Sequence, residues 1–447
     1  MNHFDISLAV HAGTKGLARS VVMALFAAAL CTSAGAAEPA STDYSGDVWT
    51  RSTLTGDWGG LRTDLANKGL TFDANLTNVV QGSVHGGKTH EWEYGGRSAL
   101  HTTVDTQKLG LWPGGFFLLE VEGNWNSAIT ARETGALMPA NSNQLYPEPT
   151  GDNFNVPQVA FAQFLSHYVG VMFGKLDTTS GDANDFAHGK GDKQFMNLAL
   201  NFNPTLLLVT PYSTLGTGLI VLPTADPEAA IVTFNVLQSN GRASTPGFDD
   251  LSADKLTFSA AGRVRTGFFG KTGHQVLGAE YSNRDFTSLD QRIGDILEGG
   301  TIAEEDGSWN VYYNFDQYVY QPDKTADRGV GVFGRIGISD GNPNLAQSFL
   351  SLGFGGKGPC ASRPHDGFGI GGYFIDIDSP SPQGTLATLS FLRDEYGLEA
   401  YYGLAITPWM ILTFDVQVVR PSQKERISTG ENVDTATIFG VRQEFVF

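Results

Sequence analysis

Cysteine is almost absent from this chain: two residues, Cys31 and Cys360, in 447. Cys31 lies in what reads as an export leader, so processing leaves Cys360 alone and excludes an internal disulfide as a source of stability. Basic residues are outnumbered, 29 Lys and Arg against 47 Asp and Glu, for a formal net charge of −18. That balance excludes nucleic acid as a partner, because binding a phosphate backbone needs surplus positive charge. Long apolar runs are missing too. Past the leader, none approaches the ~18 residues that a spanning helix requires. Charged residues make up only 17% and mean hydropathy is −0.13, which fits neither a helical membrane bundle nor a disordered chain.

What is present begins with the leader. Lys15 and Arg19 precede an apolar run from Val21 to Leu30, and Ala34-Gly35-Ala36 offers small residues for cleavage. These features read as a secretory signal peptide over residues 1–36. Cys31 follows a bulky Leu30, which argues against a lipoprotein site.

Beyond the leader, apolar residues recur with period two. Phe117, Leu119 and Val121 alternate with Glu120 and Glu122; Trp309, Val311, Tyr313 and Phe315 oppose Asn310, Tyr312, Asn314 and Asp316. The same holds for Leu70–Thr77, Leu256–Arg265 and Met410–Val418. Pro113-Gly114-Gly115, Lys271-Thr272-Gly273 and Thr407-Pro408-Trp409 are hairpin-sized turns. Thr130–Asn155, Thr178–Gln194, Gln321–Arg328 and Pro421–Asp434 read as longer polar loops. The final residues alternate as well, with Phe439, Val441, Gln443, Phe445 and Phe447 on one face and Gly440, Arg442, Glu444 and Val446 on the other. A strand at the last residue is what barrel closure needs, since it must pair with the first strand and leave no edge.

The predicted fold is all-β: a transmembrane antiparallel β-barrel of 16 strands over residues 70–447, with apolar side chains on lipid and polar ones in a wet interior. Residues 37–69 form an N-terminal periplasmic segment with a short helix. Asp57 caps that helix, Leu61 and Leu65 share its packing face, and Gly69 stops it. A barrel of ~16 strands keeps an aqueous channel, so the chain is long enough to make a pore. A soluble secreted β-protein that binds carbohydrate would show the same alternation. The terminal strand and the tryptophans near strand ends (Trp112, Trp125, Trp309, Trp409) argue for the membrane instead.

Leu54–Gly69 resembles the N-terminal signature of the carbohydrate-selective porins, the OprB family. The resemblance continues through Gly174-Lys175-Leu176-Asp177, Tyr312-Tyr313-Asn314, Gly337–Asn344, Glu399-Ala400-Tyr401-Tyr402 and the strand after Pro408. It implies a 16-stranded barrel in the outer membrane of a Gram-negative bacterium that passes small sugars, often glucose or other monosaccharides, by facilitated diffusion. Outer-membrane lipid and lipopolysaccharide are then the surroundings. Trimers are common for barrels of this kind, so the resemblance also implies a homotrimer.

Enzyme motifs weigh little. Gly337-Ile338-Ser339-Asp340-Gly341 fits a nucleophile pattern, yet Asn342-Pro343-Asn344 follows where a helix is needed, so an outer-membrane hydrolase is only an alternative. Gly329–Gly334 and Gly367–Gly372 match G-x-G-x-x-G without opening a helix; they suit strands whose small inward residues widen the lumen or permit bending. Asp182, Asn184 and Asp185 lack the closing Glu of a calcium loop, and His85, His90, His188 and His365 show no metal spacing. No cofactor, metal or catalytic residue is expected.

A sugar offers hydroxyls at its edge and C–H groups on its faces, so a selective lumen needs charged hydrogen-bonding side chains and aromatic rings. The inward candidates for solute contact are Glu120, Glu122, Arg263, Arg265, Asn314, Asp316, Arg335 and Glu399. The candidate constriction loop is Asp177–Gln194, with Asp182, Asp185, Lys190, Asp192 and Lys193.

Overall fold

The expected sixteen strands are present in the computed structural model. They are β1 (Leu70–Gly87), β2 (Trp92–Asp105), β3 (Gly115–Asn126), β4 (Asn153–Phe164), β5 (Val169–Asp177), β6 (Ser213–Val221), β7 (Ala230–Gln238) and β8 (Leu256–Thr266). The second half holds β9 (Gly273–Thr287), β10 (Glu304–Tyr320), β11 (Gly329–Ser339), β12 (Ala346–Lys357), β13 (Gly367–Ile377), β14 (Glu395–Thr407), β15 (Met410–Arg420) and β16 (Asp434–Val446). The structure describes residues 44–126, 131–149, 153–224, 226–249, 251–291, 300–322, 328–358, 360–378, 392–426 and 429–447. The leader, 1–36, lies outside them.

Each strand pairs antiparallel with its sequence neighbours, and β1 pairs with β16, so the sheet closes into a barrel. Closure leaves no unpaired edge, which is what hydrocarbon demands of a spanning sheet. The period-two pattern sets the faces. Leu119, Phe234, Phe258, Leu277, Leu350, Phe414 and Phe439 point outward and are exposed. Arg442 and Glu444 on the last strand point inward and are buried.

The connections at one rim are short, as at 165–168, 267–272 and 408–409. Of Gln321–Arg328, expected among the long loops, residues 323–327 lie outside the described residues. The opposite rim carries, among the described residues, 131–149, 178–212 and 239–249.

The N-terminal helix α1 (Leu61–Asn67) forms where expected. Asp57 Oδ1 accepts from the Thr63 amide at 2.9 Å, and Gly69 ends the turn at φ +90°. Its packing residue is a correction: Leu61 is exposed, and Arg62 is the buried one. Arg62 donates to the Phe72 carbonyl (2.7 Å), the Phe447 carbonyl (3.1 Å) and Thr53 Oγ1 (3.0 Å), and its guanidinium lies over the Tyr44 ring. The segment thus straps the seam where the first and last strands meet.

Candidate functional site

Residues 178–212 leave the rim and fold into the lumen, well beyond the Asp177–Gln194 span expected for a constriction loop. The reason is in the sequence that follows Gln194. Phe195, Leu198, Leu200 and Leu206, with Phe186, are apolar side chains that a loop in water would leave exposed. They bury instead against Tyr312, Tyr318, Phe333, Tyr373, Ile375 and Tyr401 on the inner faces of β10, β11, β13 and β14. The interior of this half is therefore an aromatic wall under the loop, not the uniformly wet surface expected from alternation.

The glycine-rich strands now have a reason. A Cβ at Gly331 would stand 2.4 Å from the Phe186 ring, and one at Gly369 would stand 2.7 Å from Phe195. These inward glycines let the loop approach the wall; they do not widen the lumen.

Polar anchors fix the loop around that apolar contact. Arg335 on β11 donates to Asp182 Oδ2 at 2.8 Å and to the carbonyls of Leu200 (2.9 Å), Ala187 (2.5 Å) and Asn201 (3.2 Å). Asn314 on β10 donates to Asp182 Oδ1 at 2.7 Å and accepts from Asn184 at 2.7 Å. Glu399 on β14 accepts from the Met196 and Asn197 amides, and Arg442 on β16 donates to the Gly191 and Gln194 carbonyls at 2.6 and 2.8 Å. Asp316 takes the Asp185 amide at 3.1 Å. Residues 131–149 enter the lumen beside it: Glu395 accepts from the Leu137 and Met138 amides, and Ser142 donates its amide to the Met196 carbonyl at 2.7 Å.

Across the lumen the loop tip reaches β3. Gly189, Lys190 and Gly191 all take positive φ, and this turn drives the Lys190 ammonium among acids. Its Nζ lies 2.7 Å from Asp177, 2.8 Å from both Glu120 and Glu122, and 2.9 Å from the Tyr212 hydroxyl. Burial works against the ammonium, but Asp177, Glu122 and Glu120 outweigh it and push its pKa above the ordinary lysine value. Arg97 on β2 bridges Glu122 and Asp192, the latter at 2.6 Å. Tyr146 packs edge-on against Tyr212 beside this cluster, ring centroids 4.7 Å apart. Burial, with the Arg335 charge, pushes the His188 imidazole down to about 4.

The expected solute contacts divide accordingly. Glu120, Glu122, Asn314, Asp316, Arg335 and Glu399 face the interior but are at most 1% exposed, because each is engaged by an inner loop. In this arrangement they cannot reach a solute, which corrects their reading as sugar contacts. Among the loop candidates, Asp182, Lys190 and Asp192 are likewise anchors, Asp185 is partly buried, and Lys193 stays 58% exposed with Glu444 3.5 Å away. Arg263 and Arg265 on β8 differ. Arg263 is only partly buried, and Arg265 is 45% exposed with Asp226 3.5 Å away. Their inward neighbours Ile231, Thr233, Asn235, Ser259 and Ala261 are partly exposed too, so the uncovered wall of the lumen runs along β7 and β8.

Arg97, Arg442, Glu395 and Tyr212 are anchors that the sequence reading does not single out. Alternation alone places Arg442 and Glu395 inside, but nothing local says that a distant loop meets them. Ser339 of the nucleophile-like motif is buried and donates to the Ala346 carbonyl at 2.9 Å, which makes it a strand-end hydrogen bond.

The carbohydrate-selective porin family, OprB, matches residues 89–447. Porin B of Pseudomonas aeruginosa is 22% identical over 97% of this chain and 99% of its own length. The putative porin QuiX of Acinetobacter baylyi is 22% identical over 74% of this chain and 76% of its own. Among solved structures, the high-pH form of Pseudomonas putida OprB superposes with a TM-score of 0.74 at 21% identity, covering 91% of this chain and all of that one. Its low-pH form gives 0.55 at 18% identity, over 89% and 98%. A family match over most of the length, on a closed 16-stranded barrel narrowed by an inner loop, makes this chain a member of the OprB family of carbohydrate-selective porins, a channel protein of the outer membrane.

Proposed function

We propose that small sugars of monosaccharide size, glucose among them, diffuse into the periplasm through the passage between the inner loop and the β7–β8 wall, with Arg263 and Arg265 as the charged groups that meet their hydroxyls. The observation that carries this is the asymmetry of burial: the inner faces of β10–β14 are covered, whereas Arg263, Arg265 and their neighbours are not. Guanidinium groups give forked donors to vicinal hydroxyls, and weak contacts suffice because a channel must release what it admits. The protein works without catalysis, and its leader, residues 1–36, is removed on export.

Proteoliposome swelling across a panel of sugars, alongside potassium chloride conductance, tests the reading. The double variant Arg263→Ala, Arg265→Ala is expected to slow sugar entry several-fold more than it lowers salt conductance. Equal losses would reject these arginines as solute contacts.

A further inference from the structure

Asp185 from the inner loop, His274 from β9 and Asp316 from β10 converge from three segments far apart in sequence, their ligand atoms all within 4.8 Å of one another. His274 and Asp316 are register partners on adjacent strands, so their side chains leave the sheet on the same side. The loop delivers the third group, held by the Asp185 amide on Asp316 Oδ2 at 3.1 Å.

Both carboxylates address one nitrogen. Asp316 Oδ1 is 2.8 Å from His274 Nδ1, and Asp185 Oδ1 is 4.0 Å from the same atom. A single imidazole proton can bond well to only one of two such oxygens, whereas a cation placed between the three groups meets all of them. We infer that Asp185, His274 and Asp316 form a divalent transition-metal site, suited to zinc, that staples the inner loop to the β9–β10 wall.

The donor set fits that class of ion: one imidazole and two carboxylates are borderline-to-hard ligands of the kind zinc accepts. Bonds of about 2.0–2.1 Å at tetrahedral angles place ligand atoms roughly 3.3 Å apart. The two separations from His274 Nδ1, 2.8 and 4.0 Å, bracket that spacing, and with all three ligand atoms within 4.8 Å of one another, side-chain movements of roughly an ångström bring them to it. His274 and Asp316 are buried and pre-positioned by the sheet, while Asp185 is partly exposed, which leaves a side open for a water as fourth ligand. Arg265, the register partner of His274 on β8, is the nearby cation, and its guanidinium reaches to Asp226. Binding would hold the loop in its inner position, because Asp185 is the only one of the three ligands that belongs to it.

The test uses the full processed chain refolded in detergent and stripped with EDTA. Cobalt(II), as a spectroscopic stand-in for zinc, should give the intense visible bands of a tetrahedral site on the unaltered protein, and zinc should displace them at one equivalent per chain. Calorimetry with zinc chloride should then show affinity at least tenfold weaker in Asp185→Asn and in His274→Gln, and zinc should raise the temperature of heat-modifiable gel mobility only in the parent. Absence of cobalt bands, or zinc affinity unchanged in Asp185→Asn, would overturn the site. Neither readout depends on which solute the channel passes.

Discussion

Replacing Arg335 by Met removes the most heavily used side chain that joins the inner loop to the barrel. Its guanidinium is fully buried and serves the Asp182 carboxylate and three loop carbonyls beyond that residue. Methionine fills much of the volume but offers no donor, so Asp182 is left as a buried charge whose remaining support is Asn314 and the Asn203 amide. Breaking a buried pair by removing one partner costs about 3–5 kcal/mol. Since 1.4 kcal/mol is tenfold, the balance between seated and released loop shifts by roughly two to four powers of ten. The barrel itself should survive, because β11 is held by backbone ladders to β10 and β12 that the side chain does not touch. Single-channel recording in planar bilayers is expected to show a larger and noisier conductance, with swelling rates that separate sugars less sharply by size. Arg335→Lys should fall between, since an ammonium can meet Asp182 but cannot span the carbonyls of Ala187 and Leu200 together. A folded, heat-modifiable Arg335→Met protein with parental conductance and parental sugar ranking would refute the claim that this anchor sets the opening.

Gly355→Val should act from the other side of the same contact, since a Cβ there would press only on Phe186, at 3.0 Å; conductance is expected to rise without loss of heat-modifiable mobility. Arg62→Ala should lower the temperature of that mobility shift while leaving conductance unchanged, as two seam carbonyls lose a charged donor whose bonds are worth about 1.5–3 kcal/mol each. The sign for His188 follows from its low value in the seated loop, about 4 against 6.5 when solvated. The released state binds the proton more readily, so seating weakens as pH falls through that window and is unaffected above it. Conductance of the parent should therefore climb from pH 7 to pH 4.5, and His188→Gln should flatten the climb.

Strand existence and facing were legible in the chain because both depend on neighbours two residues apart. Register is unambiguous when one face must meet hydrocarbon: a one-residue slip would carry Glu120 and Glu122 to the lipid and Leu119 inside. Closure was legible for the same reason, since an alternating last strand needs a partner and β1 is the free one. The N-terminal helix was readable from its cap and stop, but not its buried face, because Arg62 is chosen by carbonyls of β1 and of Phe447 that lie elsewhere in the chain.

Residue order alone thus specifies an exported, acidic, alternating chain that closes into a barrel of the carbohydrate-selective porin kind. Which inward charges stay open to the lumen depends on the folded chain. Glu120, Arg335 and Glu399 look identical in pattern to Arg263 and Arg265, and all five point inward. The difference is a loop of apolar residues that enters one half of the lumen to escape water, and must cover its own backbone with the charges it finds there. That pairing spans up to 251 residues along the chain, as between Arg442 and Gly191. No local pattern encodes a contact of that separation; the closed sheet creates it by bringing both ends of the chain around the same interior.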